Sequence, residues 1–273
     1  MSTQPSIGFI GGGNMATAII HGLVNQQFAP DNIHVADPSA ERRKELSALN
    51  NAINTYEDGS EIPSNLDAIV LAVKPQIMRQ VVESLAPRFD SKTLFISIAA
   101  GVPMDKLASW LALQTPIVRC MPNTPSLVGL GTSGLYANKE VSATQRQATE
   151  TIFNSVGISF WLKKESDIDS IIAVSGSGPA YFFYMMECMQ NTAQELGLSP
   201  EIAEEITIQT ALGAATLAKS SNDKPATLRE NVTSKGGTTE AALAHMQEQN
   251  FSAIIQQAMQ AAVDRAAALS NKD

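Results

Sequence analysis

The amino-acid sequence predicts an α/β fold: an N-terminal doubly wound sheet followed by an all-helical C-terminal half. Three observations carry this. Up to about residue 162, short Val/Ile/Leu runs alternate with amphipathic segments, the pattern of a parallel sheet buried on both faces. A glycine-rich turn, Gly11-Gly12-Gly13-Asn14-Met15-Ala16, joins the first run to the first helical pattern. From about Lys163 the strand-like runs stop, and Ala, Gln, Glu and Met dominate. The reading divides the chain into a Rossmann-type domain, 1–162, and a helical domain, 163–273.

The elements follow in order. Ile7 to Ile10 reads as a buried strand, and Met15, Ile19, Leu23 and Ala16, Ile20, Val24 recur every four residues behind it, a helical period. Ile33 to Ala36, Ile69 to Val73, Leu94 to Ile98 and Ile117 to Cys120 are further strands, with Leu135 to Tyr136 and Ile158 to Trp161 as edge candidates. His34 then falls on an edge-like strand. In the second half Pro179 opens a helix that Gly197 ends. Ser199-Pro200-Glu201 starts another as N-cap, proline and first-turn acid. That helix carries Ile202, Ile206, Ala211 and Leu212 toward Lys219, and helices are expected near 226–233, 238–248 and 251–268. Phe182, Phe183, Met185, Met186 and Met189 read as domain or dimer core.

Composition sets the outer limits. The 273 residues are 44% apolar, enough for a substantial core, and 27 acidic against 19 basic residues give a formal charge of −8. Such a surface repels phosphate backbones, so no nucleic-acid partner is expected. The two cysteines, Cys120 and Cys188, lie far apart; no metal site or disulfide scaffold follows, and a reducing compartment is compatible. The N-terminus has no basic stretch before its apolar run, which speaks against a secretory leader. The most apolar helix, after Pro179, carries Glu187 and Gln190, so no membrane span is expected. The expectation is a soluble, cytoplasmic protein.

The turn from Gly11 to Ala16 has the form G-x-G-x-x-A. Gly11 permits the tight turn, Gly13 lets backbone approach a pyrophosphate, and Ala16 keeps helix against sheet. The helix N-terminus supplies free N–H groups and a positive dipole end. A nicotinamide dinucleotide, NADPH or NADH, is the implied cofactor. Asp37, at the end of the second strand, suits a ribose hydroxyl contact; equally, Asp37-Pro38-Ser39 forms a turn that caps the next helix. Arg42 and Arg43 either meet a 2′-phosphate or face water. Ala72-Val73-Lys74-Pro75 and Ile98-Ala99-Ala100-Gly101 follow strands of the same sheet and line the same edge or serve as ordinary connections. Arg119 to Pro125 makes a rigid turn around Asn123.

Two clusters stand out in the helical half: Ser175 to Tyr181, and Val232 to Glu240. In the second, hydroxyls flank Gly236-Gly237 just before a helix. That arrangement suits a small carboxylate or, as plainly, a capping box.

Six motifs in order, IGFIGGGNMA (7–16), LAVKP (71–75), AAG (99–101), RCMPNTP (119–125), SGSGPAY (175–181) and TSKGGTT (233–239), resemble the pyrroline-5-carboxylate reductase family over nearly the full length. The resemblance implies reduction of the cyclic imine 1-pyrroline-5-carboxylate to L-proline with NAD(P)H, and a helical domain that forms an intertwined homodimer, with rings of dimers in some members. It implies that Ser234, Gly236, Gly237 and Thr238 hold the substrate carboxylate and that Thr239 bonds the ring nitrogen, as the residue nearest the chemistry. It places Ile10, Gly11, Gly12, Gly13, Asn14, Met15, Ala72, Val73, Lys74, Pro75, Ile98, Ala99 and Ala100 at the cofactor; Asp37 and Asn123 complete that expected set. Two positions depart from the pattern: Lys235 stands where proline is frequent, and Gly59 where many members have asparagine. A protonated iminium needs no strong acid, which agrees with the lack of an acid/base constellation; His21 and His34 read as structural or exposed, and His245, six residues beyond Thr239, falls off its helical face and is no proton donor. A β-hydroxyacid dehydrogenase is the rival enzyme, but its helical lysine base is missing between Tyr181 and Leu196. A non-catalytic dinucleotide sensor has no need of the second glycine turn.

Overall fold

The computed structural model describes residues 4–111 and 114–270. They form two compact units, one of residues 4–176 with 262–270 and one of Ser177–Ala261. The first unit extends past the compositional change at Lys163 because the helical segment after it packs on the sheet. Ile168 there is buried, and Ile171 lies against Gly134, whose missing side chain makes room for it.

In the first unit the elements run β1 (Ile7–Ile10), α1 (Asn14–Asn25), β2 (Ile33–Ala36), α2 (Ala40–Leu49), β3 (Asn54–Tyr56), β4 (Ala68–Leu71), α3 (Pro75–Leu85), β5 (Leu94–Ser97), α4 (Met104–Trp110), β6 (Ile117–Met121), β7 (Gly131–Ala137), α5 (Ala143–Asn154), β8 (Gly157–Trp161) and α6 (Asp167–Ile171). A π-helical turn, Ile172–Gly176, closes the unit's main run. The strands make one sheet in the order β3-β2-β1-β4-β5-β6-β7-β8. All pairs are parallel except β6 with β7.

Strand alternation sends side chains to two faces. Ala68 and Val70 of β4 join Phe9, Ile19, Leu23, Leu46 and Phe153 on the face covered by α1, α2 and α5. Ile69 and Leu71 join Met78, Val82, Phe95 and Leu107 on the face covered by α3 and α4. Burial on both sides is why β4 and β5 read as continuous apolar runs.

Several sequence expectations change. The edges are β3 and β8, so Ile158 to Trp161 is an edge strand as expected, but Leu135 and Tyr136 belong to a seven-residue interior strand. Its first half, Gly131-Thr132-Ser133-Gly134, looks like a turn in sequence. Small residues are needed there: a Cβ on Gly131 would meet backbone of Ser126 and Val156 at 2.9 Å. β2 is covered by β3, so His34 is not on an edge; it stacks on Tyr56, with Nδ1 3.0 Å from the phenol oxygen.

The second unit contains α7 (Gly178–Glu195), α8 (Pro200–Ser220), α9 (Pro225–Asn231), α10 (Thr238–Glu248) and the start of α11 (Phe251–Ser270). The stop and start signals act as expected. Gly197, at φ +98°, lets Leu198 N–H reach Ala193 O at 3.1 Å, and Ser199 Oγ accepts from Ile202 N–H. The α7 side chains read as domain or dimer core form no core within the single chain. Phe182, Phe183, Met185 and Met189 are exposed, as are Ile202, Ile206 and Leu212 of α8. Only Gly178, Ala203 and Thr207 are buried among the described residues of this unit's helices. No described helix is long and apolar enough to cross a membrane.

Helix α1 is seated by Gly22, where a Cβ would lie 2.5 Å from the carbonyl oxygen of Ser155. Gly22→Ala forces these two backbones apart and is expected to destabilise the first unit by about 1–3 kcal/mol. Thermal denaturation of the variant against the parent chain checks this as a lowered Tm.

Candidate cofactor cradle and carboxylate turn

The parallel ladder continues into the loops that leave it. Gly11 N–H donates to Ala36 O at 2.8 Å, Ala72 N–H to Ile10 O at 2.8 Å, and Ile98 N–H to Leu71 O at 3.2 Å. Three of the expected cofactor segments, Ile10 to Met15, Ala72 to Pro75 and Ile98 to Ala100, are thereby aligned along one sheet edge. That edge, outside the carboxyl ends of the strands, is where ligands of open α/β sheets bind.

The three glycines have different constraints. Gly11 takes φ +99°, and a Cβ there would lie 2.6 Å from Ala72 O. Only glycine permits this turn so close to the neighbouring loop. A Cβ on Gly12 would meet Leu46 and Asp37, whereas Gly13 has nothing within 4 Å of that position. Gly13 is also the N-cap of α1, and no side chain caps the helix. Ala16, behind it, is buried. An uncapped helix N-terminus facing open space beside glycine is a cradle that fits a pyrophosphate.

Asp37 does what the turn reading anticipates and more. Its Oδ1 accepts from Ser39 N–H at 2.8 Å, and Ser39 caps α2. Its Oδ2 accepts from Gly12 N–H at 2.7 Å, tying β2 to the glycine turn. Arg43 donates to Asp37 O at 2.7 Å and pairs with Glu57, while Arg42 pairs with Glu45. Lys74 and Pro75 begin α3 as N-cap and first residue. Gly59 packs against Leu85 rather than holding a polar group outward. Asn123 is buried, and its amide is engaged at both ends, donating to Ser175 O at 2.9 Å and accepting from Thr132 N–H at 2.8 Å.

Arg119, which the sequence reading placed only in the 119–125 turn, and Glu165, which it left out, frame the Ile98–Gly101 loop. Arg119 of β6 lies in register with Ser97, where the loop begins. Glu165 accepts from the Arg119 guanidinium and from Met104 N–H, where the loop has ended. Gly101 inside it has φ +75° and lies next to Leu269 of α11. The only sequence signal was an arginine inside the apolar run Ile117 to Cys120. A charge there needs a partner, but nothing local names Glu165.

In the second unit the turn before α10 is built from its own backbone. Gly237 N–H donates to Ser234 O at 2.9 Å, Gly236 has φ +74°, and Glu240 Oε2 accepts from Gly236 N–H at 2.6 Å. Gly237 is the N-cap and no side chain caps it. The capping-box reading is therefore not met, since the hydroxyls do not cap. Among the described residues, the hydroxyls of Ser234, Thr238 and Thr239, and the first-turn N–H groups of Thr238 and Thr239, find no partner. Thr233 alone is engaged, donating to Arg229 O. Donors left open at an uncapped helix end suit a small carboxylate.

Other candidates recede. His21 is exposed, and burial lowers the His34 pKa despite Asp31 nearby. Cys120 is buried, which pushes its thiol pKa well up against a partly offsetting Ser133 contact. No group of three or more metal-ligating side chains occurs among the described residues.

A doubly wound sheet with this glycine cradle defines a dinucleotide-dependent oxidoreductase architecture. Residues 6–101 match the family model for NADP oxidoreductase, coenzyme F420-dependent, and residues 165–269 match that for pyrroline-5-carboxylate reductase dimerisation. The chain is 48% identical to the pyrroline-5-carboxylate reductase of Pseudomonas aeruginosa, covering 100% of this chain and 99% of that one. It is 46% identical to that of Pasteurella multocida, over 95% and 96% of the two chains. The solved pyrroline-5-carboxylate reductase of Coxiella burnetii superposes with a TM-score of 0.94, at 40% identity over 99% and 100% of the chains. The Plasmodium falciparum pyrroline carboxylate reductase, solved with NADP bound, gives 0.85 at 32% identity, over 98% of each. The chain belongs to the pyrroline-5-carboxylate reductase family.

Arg119 is almost wholly buried and Glu165 about one-third exposed. Glu165→Ala strands the arginine and the Met104 N–H together. The expected loss is about 2–3 kcal/mol, below the full cost for a completely buried pair because solvent reaches the carboxylate. Glu165→Gln, which keeps an acceptor, is expected to lose less. Denaturant unfolding of both variants measures the difference.

Proposed function

We propose that this chain reduces 1-pyrroline-5-carboxylate to L-proline with NADPH or NADH, the last step of proline biosynthesis. The observation that carries the reading is the pairing, in one chain of this family, of a glycine cradle open at Gly13 with a turn whose hydroxyls and helix N–H groups are unengaged.

Gly11, Gly12 and Gly13, with Asn14 and Met15 at the start of α1, would hold the pyrophosphate. Ile10, Asp37, Ala72 to Pro75 and Ile98 to Ala100 would line the rest of the dinucleotide. Asp37 keeps lone pairs for a ribose hydroxyl while bonding Gly12 and Ser39. Asn123 contributes by holding the turn after β6, since both ends of its amide are engaged. Bound there, the dihydronicotinamide supplies the hydride.

The N–H of Gly237 is taken up within its own turn and that of Gly236 by Glu240 of α10. These glycines therefore shape the pocket, and the substrate carboxylate falls to Ser234, Thr238 and the first-turn N–H groups of α10. Thr239, half-buried one residue further on, would bond the ring nitrogen. Reduction adds a hydride to the imine carbon and leaves a proton on nitrogen. A substrate bound as the iminium brings that proton with it, so the residues need only orient the ring. The β-hydroxyacid dehydrogenase alternative lacks its base, since α7 contains no lysine.

In functional terms residues 1–162 carry the dinucleotide, and residues 163–273 carry the substrate and the dimer contacts. The exposed apolar side chains of α7 and α8 exceed what a helical unit leaves in water, which supports a homodimer; a ring of dimers is the further assembly we assign. A cytoplasmic location is in keeping with a pool of reduced nicotinamide and with two unpaired cysteines.

The direct test is NAD(P)H oxidation with pyrroline-5-carboxylate, compared with 3-hydroxyacids and with no substrate. Turnover of the imine alone is expected, and turnover of a hydroxyacid in its place overturns the assignment. Gly13→Ala meets no atom in the fold, so its Tm should match the parent while KM for NAD(P)H rises by about tenfold or more, a loss of roughly 1.4 kcal/mol of binding. Thr239→Ala is expected to lower kcat by about a hundredfold, the scale of losing the orientation of a reacting ring. Full turnover in that variant removes Thr239 from the chemistry.

A further inference from the structure

We infer that Glu240 is a positioning residue for substrate binding, a clamp that holds the Ser234–Gly237 turn in its binding shape. The inference rests on the function proposed above.

The turn is a four-residue reversal closed by Gly237 N–H to Ser234 O, with a positive φ at its third residue, Gly236. A turn of that pattern is pre-set when proline occupies the second position, because the ring fixes φ. Here the second position is Lys235, which is exposed and fixes nothing. Gly236, the most permissive residue, follows it. Left to itself, this stretch would sample several conformations, and Ser234 would move relative to Thr238 and Thr239.

Glu240 removes that freedom. It sits at the third position of α10, one helical turn beyond Gly236, and its Oε2 takes the Gly236 N–H at 2.6 Å. In an ordinary capping box the acid at this position returns to the N-cap residue itself. Here it reaches past the N-cap, Gly237, to the residue before it, and so pins the turn to the helix. The contact joins the two sides of the proposed pocket: Ser234 on the turn, Thr238 and Thr239 on the helix.

The carboxylate also places a negative charge beside a site for a negative substrate. Its charge opposes binding while its hydrogen bond favours it, and the two effects separate by substitution. Glu240→Gln keeps an acceptor oxygen and removes the charge; Glu240→Ala removes both. Lys235 N–H has no partner among the described residues, so proline at that position deletes no hydrogen bond and supplies the rigidity by another route.

The experiment measures steady-state kinetics with pyrroline-5-carboxylate and amide hydrogen exchange at Gly236 in the parent, E240A, E240Q and E240A/K235P. In E240A, KM for the imine is expected to rise about tenfold, with KM for NAD(P)H unchanged and Gly236 exchanging faster. E240Q is expected to keep slow exchange and a KM no higher than the parent. E240A/K235P is expected to recover imine KM to within about threefold of the parent, although the glutamate is still missing. Unchanged imine KM in E240A, a raised KM without faster Gly236 exchange, or no recovery in the double variant overturns the clamp. A parent chain inactive on pyrroline-5-carboxylate overturns the substrate reading instead, and Gly236 exchange in E240A against E240Q then decides the clamp alone.

Discussion

The close passage of Gly11 beside the Ala72 carbonyl is the constraint on which the cofactor half depends. At 2.6 Å a Cβ would collide with backbone, and the φ of +99° excludes most L side chains in any case. Because the chain turns there, β1 ends level with β2, β4 and β5, and the loops leaving these strands share one edge. Asp37 then fastens the turn from the other side through Gly12 N–H. Backbone crowding and one carboxylate together aim α1 so that its N-terminus and the open space at Gly13 coincide.

The same economy of charge recurs at each end of the molecule's chemistry. Asp37 and Glu240 are acids that bond backbone N–H groups of turns, and Glu165 takes the first N–H of α4. Asp37 and Glu240 each hold a turn that has no regular secondary structure to hold it, and Glu165 holds the start of α4. Loops carry the ligand contacts in such folds, and they are the segments with the fewest internal hydrogen bonds. At Glu240 the acid reaches back from a helix, a short-range way to order the turn before it.

The helical unit follows another logic. Its helices are locally well specified, with proline and serine at their starts and glycine at a stop, yet it buries little within itself. Phe183 and Tyr184 are 64% and 67% exposed in the single chain. Secondary structure here is decided by local signals, and the burial that would stabilise it lies outside one copy of the chain. The match of residues 165–269 to a dimerisation family accords with that.

The amino-acid sequence by itself determined the strands β1, β2, β4, β5 and β6, the glycine turn, and the starts and stops of α7, α8 and α10. These rest on period, on φ preference and on hydrogen bonds spanning a few residues, all of which are local. It also determined the family, because six short motifs recur in one order. The interior place of β7 was hidden, since its glycines and serines are chosen for tight packing against Ser126, Val156 and Ile171. The inward-facing Asn123, the partner of Arg119, and the reach of Glu240 past its N-cap were equally hidden. Hydrogen-bond and ion-pair partners depend on where distant segments come to lie, and side-chain direction at a helix end depends on the turn before it. Only the tertiary structure decides those.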